Sequence, residues 1–175
     1  MTGSRITLGR GDISAVTADV IVNAANAALC GGGGVDGAIH RAAGPELLAH
    51  CRTLGGARPG EVVLTPAFRL KARHIAHAVG PVWRGGDAGE DELLAACYRR
   101  ACELAAGAGA VSIAFPSIST GAYRFPVERA ALIALRTLSD FLAGHALPRQ
   151  VQVILFSDSD LLAWQRAQER LDAGT

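Results

Sequence analysis

The sequence predicts an α/β fold, a three-layer α/β/α sandwich around a mixed, mostly parallel sheet, and three features of the chain lead there. Short β-branched runs alternate with helix-length segments, the order produced when helices connect the strands of one sheet. Val20-Ile21-Val22 is apolar at consecutive positions rather than at every second one, as in a strand covered on both faces. The segments Glu61 to Thr65 and Arg73 to Val79 have hairpin-like spacing, so one antiparallel pair is expected within the sheet.

In chain order, Ile6-Thr7-Leu8 is the first strand, stopped by Gly9-Arg10-Gly11-Asp12, and Val20 to Val22 is the second. Val35 to Ala43 and Pro45 to Arg52 read as two helical pieces separated at Gly44-Pro45, because Gly and Pro punctuate helices. After the paired strands, Asp91 to Ala106 carries Leu93, Leu94, Cys97, Ala101 and Leu104 at helical spacing, with Gly107 as a stop. Val111 to Phe115 is a buried strand closed by Pro116. Pro126 opens a helix at its favoured first-turn position; Leu132, Leu135, Leu138 and Leu142 line one face, and Gly144 ends it. Val151 to Phe156 is the last strand and Asp160 to Leu171 the last helix. Without internal repeats or a linker, 175 residues read as one domain, residues 1–175, long enough to bury a good core.

Composition excludes several classes. With 50% hydrophobic and 19% charged residues the chain is not disordered, and its 21 glycines carry no collagen-like period. Seventeen basic against sixteen acidic side chains give a net charge of +1, which argues against nucleic acid as the main ligand. An anionic ligand must then be held mostly by backbone groups and a few local charges. Cys30, Cys51, Cys97 and Cys102 form no C-x-x-C pair and are expected to be reduced core residues. No signal-peptide apolar stretch follows Met1, and no apolar run is long enough to span a membrane, so a cytoplasmic location is expected.

Ligands of doubly wound sheets collect beyond the carboxyl ends of the strands, which directs attention to the loops after Val22, Phe115 and Phe156. The first holds Asn23, Asn26 and four consecutive glycines, Gly31 to Gly34, ahead of Val35 and Asp36. Such a run lets backbone approach a ligand closely and leaves amides free to cradle phosphate. Gly32-x-Gly34-x-x-Gly37 matches a dinucleotide fingerprint only formally, because it begins about ten residues after the strand and four glycines satisfy it trivially. Asp36 in the first turn of a helix complements the helix dipole. Beside a phosphate cradle it repels the anion, which suits a group that handles water or a sugar hydroxyl. Asn23 and Asn26 fit either turn roles or ligand contacts. The second loop, Pro116 to Pro126, sets hydroxyls and Gly121 beside Tyr123, an aromatic able to close over a ribose. Asp12 fits a turn cap, and Phe156 fits either core or a platform for a base.

No metal or cofactor is expected. His74 and His77, three apart on a strand, point to opposite faces. His40 shares a helix face with Asp36, but two ligands do not make a zinc site, and neither G-x-S-x-G nor H-E-x-x-H is present.

Taken together, Gly11-Asp12-Ile13, Asp19-Val-Ile-Val-Asn23-Ala-Ala-Asn26, Gly31-Gly-Gly-Gly-Val-Asp36-Gly-Ala-Ile-His40-Arg-Ala-Ala-Gly44, His77-Ala-Val-Gly80-Pro-Val-Trp83 and Phe115-Pro-Ser-Ile-Ser119-Thr-Gly121-Ala-Tyr123 resemble the macrodomain family. Within it the chain resembles the MacroD type, which includes bacterial O-acetyl-ADP-ribose deacetylases, and the likeness covers nearly the whole sequence. The resemblance implies binding of ADP-ribose and metal-independent hydrolysis of its esters, including mono-ADP-ribose on Asp or Glu of proteins. It implies that Asp12 accepts from the adenine amino group with the Ile13 amide nearby, and that Phe156 packs on the base. Gly33, Gly34 and Val35, with Ser119, Thr120, Gly121, Ala122 and Tyr123, would wrap the diphosphate; Asn23 joins the ligand contacts. Asn26 would orient the distal ribose and Asp36 would be the catalytic carboxylate, with either Asp36 or the substrate phosphate taking the proton from water. Arg124 stands where relatives often have Gly, and Pro59-Gly60-Glu61 replaces a common Thr-Gly. A non-catalytic ADP-ribose reader and a regulatory interaction module are the alternatives.

Overall fold

The computed structural model describes residues 4–174. Six strands and five α-helices follow one another as β1 (Ile6–Arg10), β2 (Val20–Ala25), α1 (Gly34–Ala43), α2 (Pro45–Cys51), β3 (Val62–Pro66), β4 (His74–Val79), α3 (Glu90–Gly107), β5 (Ser112–Phe115), α4 (Val127–Ala143), β6 (Gln150–Leu155) and α5 (Asp158–Asp172), with one 3-10 turn at Ile13–Ala15. The sheet order is β1-β6-β5-β2-β4-β3. All neighbours are parallel except β3 and β4, whose antiparallel pairing sets Val63 opposite His77. The fold class and the single antiparallel pair are those the sequence predicts.

Period-two alternation sends each strand's side chains into two separate cores. Val20, Val22, Ala76, Ala78, Ile113 and Phe115 join α3, α4 and α5 on one face. Ile21, Ala25, Ile75, Val79 and Ala114 join α1 and α2 on the other. Asn23 and His77 are register partners on β2 and β4, and alternation puts both on the α1 face. A polar pair inside an otherwise apolar layer must be satisfied there: Asp36 of α1 partners Asn23, and Asn23 and Thr65 of β3 partner His77.

Three expectations are corrected. β2 does not end at Val22 but continues to Ala25, so Asn23 is a buried strand residue rather than a loop residue. Its extension is held by pairing with β4 as far as Ala25 opposite Val79. Cys51, Cys97 and Cys102 are buried, but Cys30 is exposed, because it lies in the connection before α1 and not in a packed element. Phe156 falls one residue beyond β6 and is 79% exposed, so it is not core.

The loop between β5 and α4 is braced from beneath by two aromatic side chains of the helical layer. The fully buried Tyr98 of α3 donates through its hydroxyl to Pro116 O at 3.2 Å and accepts from Ile118 N at 3.1 Å. Trp164 Nε1 of α5 donates to Ser117 Oγ at 3.2 Å. Burial pushes the Tyr98 phenol well above its ordinary pKa, so it stays neutral and keeps its proton for Pro116. Tyr98→Phe strands a buried amide and a buried carbonyl together. Urea unfolding should show a loss of about 1–3 kcal/mol relative to wild type.

Candidate active site

The segments after β1, β2, β5 and β6 converge on one cleft at the carboxyl ends of the strands. Its wider part, about 530 Å³, lies between Asp12 and Ile13 on one side and Ile154 and Phe156 on the other. The narrower part, about 330 Å³, runs from Val35 past Ser119 and Tyr123 to Asn26 and Asp36. Gly34, Val35, Ser117 and Gly121 border both, so the two cavities are joined along one wall. Thr120 lines the wider part; Gly33 and Ala122 line the narrower.

The glycine wall is built by close contact. Gly33 caps α1 and Gly34 is its first residue at φ +57°, a conformation that favours Gly. A Cβ on Gly37 would lie 2.6 Å from Gly32 O, so the glycine run folds back tightly on the first turn of its own helix. The first amides of α1 lack intrahelical acceptors and form an anion-attracting end. Among the described residues, Arg41 is the one basic side chain bordering either cavity, against the carboxylates of Asp12, Asp36 and Asp160. The sequence held a signal for it, since Gly34, Ala38 and Arg41 share a helix face.

Across the cleft, Ser119 and Arg124 adopt left-handed backbone, at φ +68° and +61°. Arg124 thus carries a side chain through a conformation that glycine adopts free of strain. Ser119 Oγ is buried without a partner and packs on Gly80, where a Cβ would overlap it and lie 2.7 Å from Ile118 Cγ2.

Asp36 ends the narrow cavity, only 5% exposed. Its Oδ1 accepts from Asn23 Nδ2 at 2.8 Å and lies 3.4 Å from His40 Nε2, one helical turn on. Oδ2 lies against Gly32, 3.1 Å from where a Cβ would stand. Asn23 lines neither cavity, which corrects its expected place among the ligand contacts: its side chain lies beneath the floor and serves Asp36 instead. Asn26 does line the cavity while bracing its own loop, accepting from Leu29 N and donating to Gly31 O. Asp12 caps the 3-10 turn, with Oδ1 accepting from Ser14 N at 2.9 Å, and also borders the wide cavity. The capping role therefore does not take this carboxylate out of the cavity wall.

Behind Asn23 lies His77, fully buried and absent from the residues that sequence reasoning singled out as functional. Its Nδ1 is 3.1 Å from Asn23 Nδ2 and its Nε2 is 2.9 Å from Thr65 Oγ1. Asn23 Nδ2 can only donate, so Nδ1 accepts and the ring proton sits on Nε2, donated to Thr65. Thr65 in turn donates to Pro66 O. Burial, reinforced by the neighbouring His40 and His50, lowers the His77 pKa to about 4. Among the described residues no three His, Cys, Asp or Glu side chains come together as a metal site requires, and no helix is long and apolar enough to cross a membrane.

The sequence profile of the Macro domain family matches residues 22–134. This chain belongs to the macrodomain family. An O-acetyl-ADP-ribose deacetylase of Cronobacter sakazakii is 50% identical to this macrodomain over 96% of each chain. A macrodomain of Oceanobacillus iheyensis solved with ADP is 46% identical, with a TM-score of 0.91 over 95% of this chain and 90% of that one. A Trypanosoma brucei macrodomain in complex with ADP-ribose is 40% identical, with a TM-score of 0.87 over 94% of this chain and 69% of that one.

The neutral His77 makes macrodomain stability depend on acid in a defined window. The unfolded ring takes a proton below its ordinary 6.5, whereas the folded ring resists until about 4. Stability contributed by the neutral ring is therefore complete above 6.5 and lost as pH falls toward 4, roughly 3 kcal/mol in all. Urea unfolding of wild type and His77→Gln should show a stability gap roughly 2–3 kcal/mol narrower at pH 4.5 than at pH 7.5. A gap independent of pH would place the ring's titration elsewhere.

Proposed function

We propose that this macrodomain binds ADP-ribose along the cleft and hydrolyses ADP-ribosyl esters there, both O-acetyl-ADP-ribose and mono-ADP-ribose linked to Asp or Glu of proteins. The observation that carries the reading is Asp36, a carboxylate held from behind at the end of a glycine-walled cavity. The wide cavity suits the adenosine, with Asp12 toward the exocyclic amine and Phe156 against the ring. The shared wall suits the diphosphate, held by backbone amides from Gly33 to Val35 and from Ser119 to Tyr123. The distal ribose then lies beside Asn26 and Asp36.

In this arrangement a water between Asp36 Oδ2 and the substrate attacks the acyl carbon of the ester. Asp36 takes the water's proton as the new C–O bond forms, and the proton passes to the departing ribose oxygen as the old bond breaks. The products are the free carboxylic acid and ADP-ribose. The reaction draws on no group outside the cleft. The names of the Cronobacter relative and of the ADP- and ADP-ribose-bound structures support this reading. The cytoplasm, where thiols such as Cys30 stay reduced, is the location we propose.

Asp36 repels the bound diphosphate in the ground state and assists only as the water reacts. Asp36→Ala should leave the calorimetric Kd for ADP-ribose unchanged or tighter, while acetate release from O-acetyl-ADP-ribose falls at least about a hundredfold. Wild-type turnover in this variant would make the cleft a reader of ADP-ribose.

Asp12 provides a second check. Hypoxanthine places a carbonyl where adenine has its amino donor, so inosine diphosphate ribose sets two acceptors face to face. Its affinity should fall about five- to tenfold, the lower part of the range for stranding a charged acceptor, because the ring N1–H recovers some binding. Asp12→Asn should shrink the discrimination, since an amide turns its NH2 toward the carbonyl. Equal affinities of wild type for the two nucleotides would remove Asp12 from the site.

A further inference from the structure

We infer that His77 is a positioning residue for the hydrolysis, acting through Asn23 on the orientation of Asp36; the inference rests on the hydrolase reading above. The four side chains come from four elements and form one directed chain. Thr65 of β3 accepts from His77 Nε2 at 2.9 Å, His77 of β4 accepts through Nδ1 from Asn23 at 3.1 Å, and Asn23 of β2 donates to Asp36 Oδ1 at 2.8 Å. Thr65, His77 and Asn23 are all buried, and Asp36 alone among the four borders the cleft.

The amide of Asn23 is the pivotal piece. Both of its N–H groups are used, one on Asp36 and one on His77, while its carbonyl Oδ1 is buried with no partner. An amide facing solvent or a single acceptor would turn to satisfy that carbonyl. Here a turn would set the carbonyl against the Asp36 carboxylate and leave His77 Nδ1 without a donor. The unprotonated Nδ1 therefore selects the one amide orientation that donates to Asp36. With Oδ1 pinned, the carboxylate plane is fixed and Oδ2 is the oxygen left for water. Thr65 enforces the same ring tautomer from the far side, because its hydroxyl proton is committed to Pro66 O and its oxygen must accept.

The two ring nitrogens can be removed separately. Asn at position 77 places its carbonyl oxygen where Nδ1 stands and keeps the acceptor for Asn23; Gln reaches the Nε2 position and lacks it. For His77→Gln, kcat for O-acetyl-ADP-ribose should fall tenfold or more, with the Kd for ADP-ribose within twofold of wild type. His77→Asn should recover at least a third of the wild-type kcat, although both variants lose the imidazole. Thr65→Val, isosteric and further from the cleft, should lower kcat threefold or more at unchanged Kd, and decides the matter if His77→Gln does not bind ADP-ribose. Equal kcat in His77→Asn and His77→Gln, or unchanged kcat in Thr65→Val, overturns the positioning role while the hydrolase reading stands. A wild-type protein that binds ADP-ribose but releases no acetate overturns the hydrolase reading, and the positioning role with it.

Discussion

A carboxylate that is 5% exposed must find donors inside the protein or lose its charge, and much of the surrounding structure follows from that demand. Asp36 meets it in two ways. The first turn of α1 supplies the positive end of a helix dipole, and Asn23 supplies a neutral N–H from the sheet below. A Lys or Arg in place of Asn23 would satisfy the charge more strongly, but it would also neutralise the carboxylate that the proposed hydrolysis uses as a base. An amide leaves the negative charge in place and fixes its direction.

The opposite wall obeys a different constraint. The loop between β5 and α4 is rich in small residues and has two positions in left-handed backbone, features that by themselves give a soft segment. Its rigidity comes from Tyr98 and Trp164 beneath it and from the contact of Ser119 with Gly80 beside it. In the proposed complex the amides that face the diphosphate are thereby presented by backbone that is already ordered, so binding spends little on ordering them. The loop of Arg84 to Ala88 is tied in a comparable way, with backbone amides donating to the carboxylate of Glu90 at the start of α3.

Most of the architecture is legible in the sequence because it is written in local patterns. The break at Gly44-Pro45, the antiparallel β3–β4 pair and the entry into α4 at Pro126 each rest on neighbouring residues alone. Asp36 is legible for the same reason, since a carboxylate just after four glycines is unusual within a few positions. Asn23 and His77 are not. Asn-Ala-Ala is a weak strand sequence, and only pairing with β4 extends β2 through it. The juxtaposition of Asn23 with His77 is a matter of register between strands more than fifty positions apart, and no local pattern encodes it. Tyr98 sits among alanines and cysteines on α3, where a helical stripe reads as core; its hydroxyl bonds belong to a loop eighteen or more residues away.

The wall shared by the two cavities has a consequence for how such a cleft can change. Gly34, Val35, Ser117 and Gly121 touch the wide part and the narrow part at once. The two ends are therefore not independent modules. A substitution that widens the narrow part also shifts the wall of the wide part, and the glycine run cannot absorb the movement because it is packed against the start of its own helix. New ester preferences are reached more readily from the rim, at Tyr123 or Ala122, than from the wall. Divergence among proteins with this cleft is expected to concentrate at that rim rather than along the shared wall.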